Sequence, residues 1–355
     1  MSKARKSGKA NEGNFFEDFR LGQEIRHATP RTITQGDVAV YNGLFGARFA
    51  VQSSDAFARA IGYPRAPVDD LLVFHVVFGK TVPDVSLNAV ANLGYAECRF
   101  LKAVYPGDTL HAVSQVIGLK ENSSHKTGIV YVRSRGFDQD DHIVLEFVRW
   151  VMVRKRDESA PAPKEELPQL AKSVDASSLG AACPTIKVSN YDTVLAGSPH
   201  KFEDYAVGEK IDHIDGITVE EAEHQIGTRL YQNPARIHFN HFAESKGRFG
   251  RRLIYGGHVI SLARALSFNG LGNAFHVAAI NGGRHVAPLF AGNTVFVWSE
   301  VLARSEIPGR TDVGALRLRT VATKDRPSAD FPFKNGDEYD PAVILDLDYW
   351  VLMPQ

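Results

Sequence analysis

The 355-residue chain has 41 Lys and Arg against 41 Asp and Glu, so its formal charge is zero, and no basic field favours nucleic acid or a membrane surface as a partner. Its two cysteines, Cys98 and Cys183, fit neither a disulfide framework nor a zinc spacing, which indicates a reducing, cytoplasmic compartment. The longest apolar run, residues 71–78, is too short to span a bilayer.

Taken in order, the chain divides into four segments. Residues 1–13 are rich in Lys, Arg, Gly and Ser and are predicted to be a disordered leader rather than a secretory signal. Residues 14–154 form a first unit and residues 199–355 a second. Between them, residues 155–198 begin with a charged, Pro/Ala-rich stretch that is typical of a solvated linker.

The two units are copies of one another. Three blocks of the first unit recur in the same order in the second, at offsets of 186 residues (Phe16 to Phe202), 185 residues (Arg99 to Arg284) and 200 residues (Trp150 to Trp350). Three matched blocks in one order indicate a tandem duplication of a unit of about 140 residues.

Each copy shows the same elements. Helical patterns cover residues 34–45 and 218–231, and longer apolar helices are predicted at 71–80 and 259–266. The remainder reads as strands, which in the first copy cover residues 95–101, 109–119, 128–137 and 143–153. One long helix with several antiparallel strands predicts an α+β unit whose sheet wraps around the helix.

These residues carry a family resemblance. The series Phe-x-Asp-(Phe/Tyr)-x-x-Gly, a motif ending in His, a Gly-rich helix start and Arg-Phe-x-x-(Ala/Pro)-Val-x-Pro-Gly-Asp-Thr-Leu resembles the MaoC-type hot-dog hydratases. The resemblance implies a tandem (double) hot-dog fold and hydration of an enoyl-CoA. Residues 55–75 and 92–102 are similar to those of the mesaconyl-CoA (2-methylfumaryl-CoA) hydratases. That resemblance implies a hydro-lyase that interconverts mesaconyl-C1-CoA and β-methylmalyl-CoA in ethylmalonyl-CoA-type carbon assimilation.

The resemblance places the catalytic residues in the second copy. The family motif Gly-Asp-x-Asn-Pro-x-His has its Asp and His five residues apart, which maps onto Asn233 and His238. The first copy has Ala47 and Gln52 at these positions and is expected to be a degenerate, ligand-accommodating half. Because asparagine cannot act as a base, three routes stay open. His238 acts alone with Asn233 holding the water, Glu244 supplies the carboxylate, or Asp69 or Asp70 reaches in from the first unit.

A glycine-led helix start follows the motif. Gly257 is assigned as the backbone donor to the thioester oxyanion, and Gly256 replaces the histidine of the family's His-Gly pair. A plainer interpretation is that the two glycines only permit close packing. Asn233 likewise has a plainer role as a turn residue before Pro234.

The rest of the ligand needs cations and an apolar slot. Arg236 is the first candidate to bind the free carboxylate of a mesaconyl group, followed by Arg284 and then by Arg251 and Arg252. Surface cations for the CoA phosphates are expected at Arg65, Lys80 and Lys102. The resemblance further assigns substrate contacts to Tyr63, Asn92, Gly94 and Phe100.

Three alternatives to the favoured mesaconyl-CoA hydratase remain open. They are an (R)-specific hydratase for short straight-chain enoyl-CoA, a hot-dog thioesterase and a non-catalytic acyl-CoA-binding protein. No metal is expected, since no His/Asp/Glu cluster has ligand spacing. No cofactor, no nucleic acid and no membrane partner are expected either, CoA being part of the substrate. The two copies are expected to pair within the chain, with further assembly into a homo-oligomer.

Overall fold

The structure is a computed structural model that describes residues 9–355, so residues 1–8 of the predicted leader lie outside the described residues. Its strands are β1 (Glu24–Thr32), β2 (Ala89–Phe100), β3 (Thr109–Glu121), β4 (Thr127–Phe137), β5 (Ile143–Arg154), β6 (Lys210–Thr218), β7 (His276–His285), β8 (Thr294–Glu306), β9 (Val313–Lys324), β10 (Lys334–Asn335), β11 (Glu338–Tyr339) and β12 (Val343–Pro354).

Ten of these strands form one antiparallel sheet in the order β1-β3-β4-β5-β2-β7-β12-β9-β8-β6. The two halves of this order are symmetric, because β1, β3, β4, β5 and β2 of the first unit correspond to β6, β8, β9, β12 and β7 of the second. The two units therefore meet at β2 and β7, where Tyr95 lies opposite Gly283 and Arg99 opposite Ala279. The copies pair within the chain, as the sequence predicted.

Two helices lie at the centre of the fold. α4 (Asp70–Thr81) belongs to the first unit and α8 (Gly256–Leu266) to the second, and every residue of each after its first is buried. The remaining helices are short, and they are α1 (Gln35–Phe45), α2 (Ala50–Ser53), α3 (Asp55–Ile61), α5 (Glu221–Leu230), α6 (Arg236–Phe239), α7 (His241–Glu244) and α9 (Phe268–Leu271).

The largest apolar cluster of the protein crosses the boundary between the units. It combines residues of α4 and β2 with residues of α8 and β7, among them Phe74, Val77, Val259 and Ile280, each at most 4% exposed. Burial of this apolar surface is the main force that holds a domain together, so the two units share one core. The double hot-dog architecture predicted from the sequence is confirmed.

The segment between the units is not solvated along its whole length. Its Val174 N–H donates to Asn281 of the second unit (2.8 Å), whereas its Lys187 N–H donates to the carbonyl of Ile61 in the first (2.8 Å). Val174, Leu179 and Ile186 are buried in a second apolar cluster. The segment thus runs along both units and packs on each of them.

Across the described residues 9–355, the structure has no helix of the length and apolar character needed to cross a membrane. The predicted helices and strands of the first unit agree with those observed to within a few residues, except that β2 begins at Ala89, six residues before the predicted start. The sequence reading did not resolve β1, α2 and α3, which are short or polar.

Candidate active site

His238 lies on the one-turn helix α6, in the long connection between α5 and α8. Its Nδ1 donates to the carbonyl oxygen of Leu253 (2.8 Å), which fixes the proton on Nδ1 and leaves Nε2 as an acceptor. Burial lowers the pKa of His238 to about 4, against a smaller rise from the Leu253 bond. The imidazole is therefore neutral at pH 7 and can take a proton on Nε2.

Local hydrogen bonds hold this turn. The Asn233 side-chain oxygen accepts the N–H of Ala235 (3.1 Å), which closes the turn through Pro234 before α6 begins. The amide of Gln225 on α5 donates to the carbonyl of His238 (2.8 Å). Asn233 is only 2% exposed, and its oxygen makes the hydrogen bond of a turn residue, so its NH₂ group is the part available to a bound water.

The start of α8 lies beside this turn and has no side-chain cap. An uncapped helix start leaves backbone N–H groups without partners, and the helix dipole favours negative charge there. A Cβ on Gly256 would lie 2.4 Å from the ring of His285, and one on Gly257 would lie 2.4 Å from the ring of Tyr255. Both glycines thus allow aromatic rings to pack against the open end of the helix.

The matching helix start in the first unit is closed. Asp69 caps α4, and its Oδ1 accepts the N–H of Leu71 (2.9 Å), the residue that matches Gly257 at the offset of 186. Burial and the neighbouring Asp70 raise the pKa of Asp69 to about 6. The first unit therefore supplies its own carboxylate where the second presents a free backbone donor.

Aromatic and imidazole rings line the site around His238. The ring of Tyr255 is 5.5 Å from that of His238, and the Tyr255 N–H donates to Nε2 of His224 (2.9 Å). On the sheet side, the Tyr95 hydroxyl is hydrogen-bonded to Nε2 of His285 (3.3 Å). Burial lowers the pKa of both His224 and His285, so the site holds neutral imidazoles at pH 7.

His285, Tyr95 and His224 belong to none of the catalytic motifs from which the site was predicted. Arg284 was predicted instead, and it is exposed, whereas its neighbour His285 faces Tyr95. Alternation of side chains along β7 sends the two residues to opposite faces of the sheet. Once β7 is placed, this alternation can be predicted from the sequence. The pairing of β7 with β2, which brings Tyr95 to His285, cannot.

The other predicted site residues are not gathered at His238. Arg236 is exposed at the start of α6, and Glu244 is half-buried on α7, with no hydrogen bond to His238 among the described residues. Asn92 has both side-chain polar atoms buried without a partner, as a ligand-binding amide would. A Cβ on Gly94 would lie 2.3 Å from the Trp150 ring, so this glycine permits close packing. Their roles in catalysis or binding stay predictions.

Tyr63 and Phe100 lie elsewhere, in a pocket that Gln52 and Asp70 of the first unit and His276 of the second also line. This pocket surrounds the closed helix start, because Gln52 and Asp70 match His238 and Gly256 of the second unit. The Asp70 carboxylate accepts from His276 Nδ1 and from the Val277 N–H (both 2.9 Å). Asp70 is thereby committed to these two partners.

Three cations were expected on the surface to bind phosphates. Lys80 is 2% exposed and donates to Thr29 and Gln232, so the prediction of a surface cation there is wrong. Arg65 is half-buried and donates to the carbonyl of Pro106, and Lys102 pairs with Asp138. The sequence could not show that α4 buries its Lys80 against the connection of the second unit.

One group of potential metal ligands was also overlooked. Asp138, Asp140 and His142, in the turn between β4 and β5, bring their ligand atoms within 4.8 Å of one another. Asp138 already pairs with Lys102, and the other two side chains are exposed. The expectation that no such cluster exists was wrong. The group nevertheless lies on an exposed turn, and its one buried carboxylate, that of Asp138, is already paired with Lys102.

Two sheet-wrapped helices in one chain, with a neutral histidine beside the open start of one of them, define a double hot-dog protein of the MaoC-like class. The structure superposes on a MaoC domain dehydratase from Chloroflexus aurantiacus with a TM-score of 0.96, at 63% identity and with 98% of this chain and 99% of that chain covered. It also matches a double-hotdog protein from Mycobacterium tuberculosis with a TM-score of 0.73, at 25% identity and over 97% of this chain and 99% of the other.

The sequence comparisons narrow the class to one family. The model of the mesaconyl-CoA hydratase family matches residues 3–333. The chain is 63% identical to the β-methylmalyl-CoA dehydratase of Chloroflexus aurantiacus, over 98% of this chain and 99% of that protein. It is 58% identical to the mesaconyl-CoA hydratase of Cereibacter sphaeroides, over 98% and 100% of the two chains. The chain belongs to the mesaconyl-CoA hydratase family.

Proposed function

We propose that this protein is a hydro-lyase that reversibly adds water to mesaconyl-C1-CoA to give β-methylmalyl-CoA. Two relatives named for the two directions of this reaction share 63% and 58% of its residues over nearly full length. The observation that carries the proposal is the state of His238, a neutral imidazole with Nε2 unprotonated beside an uncapped helix start. Hydration of an α,β-unsaturated thioester needs a base for water and a donor for the thioester oxygen.

His238 is the proposed base. Water that is held at Nε2 loses a proton to the imidazole as its oxygen attacks the β-carbon. Leu253 keeps the ring in the required tautomer throughout, because its carbonyl accepts the Nδ1 proton. The proton that His238 receives is then delivered to the α-carbon, so water is added across the double bond and the base is restored.

Negative charge develops on the thioester oxygen during this attack. The N–H of Gly257, at the uncapped start of α8, is the proposed donor to that oxygen. Such a donor is held in place before the reaction and is typically responsible for about 3–4 kcal/mol of barrier lowering. The glycines also bring the backbone close to the acyl group, where a side chain would collide with His285 or Tyr255.

Asn233 is proposed to orient the water through its NH₂ group, since its oxygen is committed to the Ala235 N–H. Glu244 remains the second choice for a carboxylate, because it lies six residues after His238 and is half-buried. Asp70 is the weaker alternative, since both of its hydrogen bonds join it to the β7 strand.

The proposed reaction changes no overall oxidation state, so it requires no redox cofactor. A cytoplasmic location is proposed because both cysteines, Cys98 and Cys183, are buried free thiols, which suits a reducing compartment. Assembly into a homo-oligomer is likewise proposed.

The test is hydration by the purified protein, followed as loss of the enoyl-thioester absorbance with mesaconyl-CoA and crotonyl-CoA in parallel. Faster turnover of mesaconyl-CoA is expected. Preference for crotonyl-CoA would replace the proposal with a straight-chain hydratase. Release of free CoA would indicate a thioesterase, and tight binding without turnover would indicate a binding protein.

A further inference from the structure

Arg149 on β5 is fully buried, with 0% of its surface exposed. Its guanidinium donates to the hydroxyl of Thr81 (2.7 Å) and to that of Ser86 (3.3 Å), and it lies 4.2 Å from the ring centre of Phe78. Within residues 9–355, its Nε has no hydrogen-bond partner and no carboxylate forms an ion pair with it. Every one of the contacts above is with a neutral group.

A buried charge without a counter-ion is costly, and proteins normally pair such groups. Lys155, whose side chain is 1% exposed, is paired in this way with Glu121 (2.7 Å). Burial lowers the pKa of Arg149 to about 10, so the guanidinium still carries its charge at pH 7. Among residues 9–355, its Nε has no acceptor, so this buried cation keeps a donor available to an anion from outside the chain.

The two copies of the repeat differ in whether a carboxylate lies near the buried arginine. Arg149 matches Tyr349 of the second unit, and its neighbour Phe78 matches Arg264, so the arginine and the aromatic ring have exchanged positions. Arg264 has carboxylates close by, since its charge acts to lower the pKa of Asp69. The residues of the second unit that match Asp69 and Asp70 are Tyr255 and Gly256, which offer no carboxylate to Arg149.

Arg149 is also close to the reaction centre. It lies directly opposite Tyr95 on the paired strands β5 and β2, with both side chains buried. The Tyr95 hydroxyl reaches His285, whose ring packs on Gly256 at the open start of α8. Tyr95 therefore lies between the guanidinium of Arg149 and His285, whose ring packs at the proposed thioester site.

We propose that Arg149 binds the free carboxylate at the far end of the acyl group and so selects an enoyl thioester that is also a carboxylic acid. This inference rests on the proposed function, because it assumes that the acyl group enters at His238 and Gly257. It assigns to Arg149 the role that sequence reasoning gave first to Arg236, which is exposed.

The test compares R149K and R149Q with the parent protein on mesaconyl-CoA and on crotonyl-CoA, which lacks the carboxylate. Loss of one partner of a buried charge pair is expected to lower kcat/KM for mesaconyl-CoA about 100-fold or more in R149Q. For crotonyl-CoA, kcat/KM as a substrate or the inhibition constant as a competitive inhibitor is expected to change by less than about threefold. The matched control is R135Q, at an exposed arginine on the neighbouring strand β4, which is expected to change neither.

The outcomes separate the two proposals. If the parent protein hydrates mesaconyl-CoA but R149Q weakens both thioesters equally or neither, the role of Arg149 is overturned and the proposed function stands. The same selective loss in R236Q instead would transfer the role to Arg236. If the parent protein does not hydrate mesaconyl-CoA, the proposed function itself is overturned.

A second variant covers the case in which R149K and R149Q fail to fold, which circular dichroism and thermal melting would show. S86A removes one acceptor from the guanidinium but keeps the charge. It is expected to lower kcat/KM for mesaconyl-CoA about fivefold to tenfold, with little change for crotonyl-CoA. An equal effect on both thioesters would overturn the proposal.

Discussion

Nε2 of His75 on α4 and the hydroxyl of Ser261 on α8 are hydrogen-bonded at 2.9 Å, and these two residues occupy the same position in the two copies of the repeat. The same hydroxyl bonds to Tyr41 (2.9 Å). The contact lies near the local twofold axis that relates the units. It ties the two central helices together inside the shared core.

Ser261→Ala is expected to destabilise the protein without affecting hydration. The substitution leaves the buried His75 Nε2 without a partner, which costs about 1–3 kcal/mol of unfolding free energy. Urea unfolding measures the loss, and kcat for mesaconyl-CoA is expected to stay within about twofold of the parent value. Ser245→Ala at an exposed serine is the control. Equal stability of the two variants would show that the contact contributes nothing.

His238→Gln is expected to lower kcat by about 100-fold to 10,000-fold, because it removes the proposed base while keeping a polar side chain of similar length. Initial rates with mesaconyl-CoA measure the effect, and circular dichroism checks the fold. His241→Gln, at an exposed histidine three residues further on, is expected to retain the parent rate. Retention of activity in His238→Gln would remove His238 from the mechanism.

Gly256→Ala is expected to reduce kcat/KM by about 100-fold, because its Cβ would lie 2.4 Å from the His285 ring and force the helix start or the ring to move. The control is Gly43→Ala, on helix α1 with nothing within 4 Å of the new Cβ. That variant is expected to gain about 0.5–1 kcal/mol of stability with unchanged activity. Parent-like activity of Gly256→Ala would show that the close approach is unimportant.

Stability is expected to fall as the pH drops below about 6.5. Burial lowers the pKa of His75, His224 and His258 in the folded protein, so the unfolded chain binds protons first as the pH falls through 6.5. Each of these histidines then removes about 1.4 kcal/mol per pH unit. Asp69 has the opposite effect below pH 6, because its raised pKa makes the folded protein bind that proton before the unfolded chain does. It is one group against three histidines.

Urea unfolding at pH 7.5, 6 and 5 measures this slope. Between pH 7.5 and 6.5 little change is expected, since the histidines are neutral in both states. A stability that stays constant from pH 7.5 to 5 would contradict the assignment of neutral buried imidazoles.

The fold was largely predictable because it is repeated. Matched blocks such as 16–27 and 202–213 identify two units, and alternating strands such as β3 and β4 were placed within a few residues. The predicted strand at 95–101 was short, because β2 extends back to Ala89 through Asn92 and Gly94, two residue types that are uncommon in strands.

The candidate site could be located from the sequence only where it is local. His238 and Gly257, whose catalytic roles are proposed, lie in motifs whose spacing is fixed along the chain. Arg149, Tyr95 and His285 come together because β2 pairs with β5 on one side and with β7 on the other. No spacing along the sequence encodes that convergence, and the same long-range contacts bury Lys80, which had been taken for a surface cation.

The covalent joining of the two units has a consequence for stoichiometry. In a dimer of identical single-unit chains, a residue such as Asp69 would close both helix starts or neither, since both chains would carry the same residue at that position. Here it closes one start through Leu71 and leaves the other open at Gly257. One polypeptide is thus expected to carry one reactive centre, and a tight-binding thioester analogue is expected to saturate the protein at one equivalent per chain rather than two.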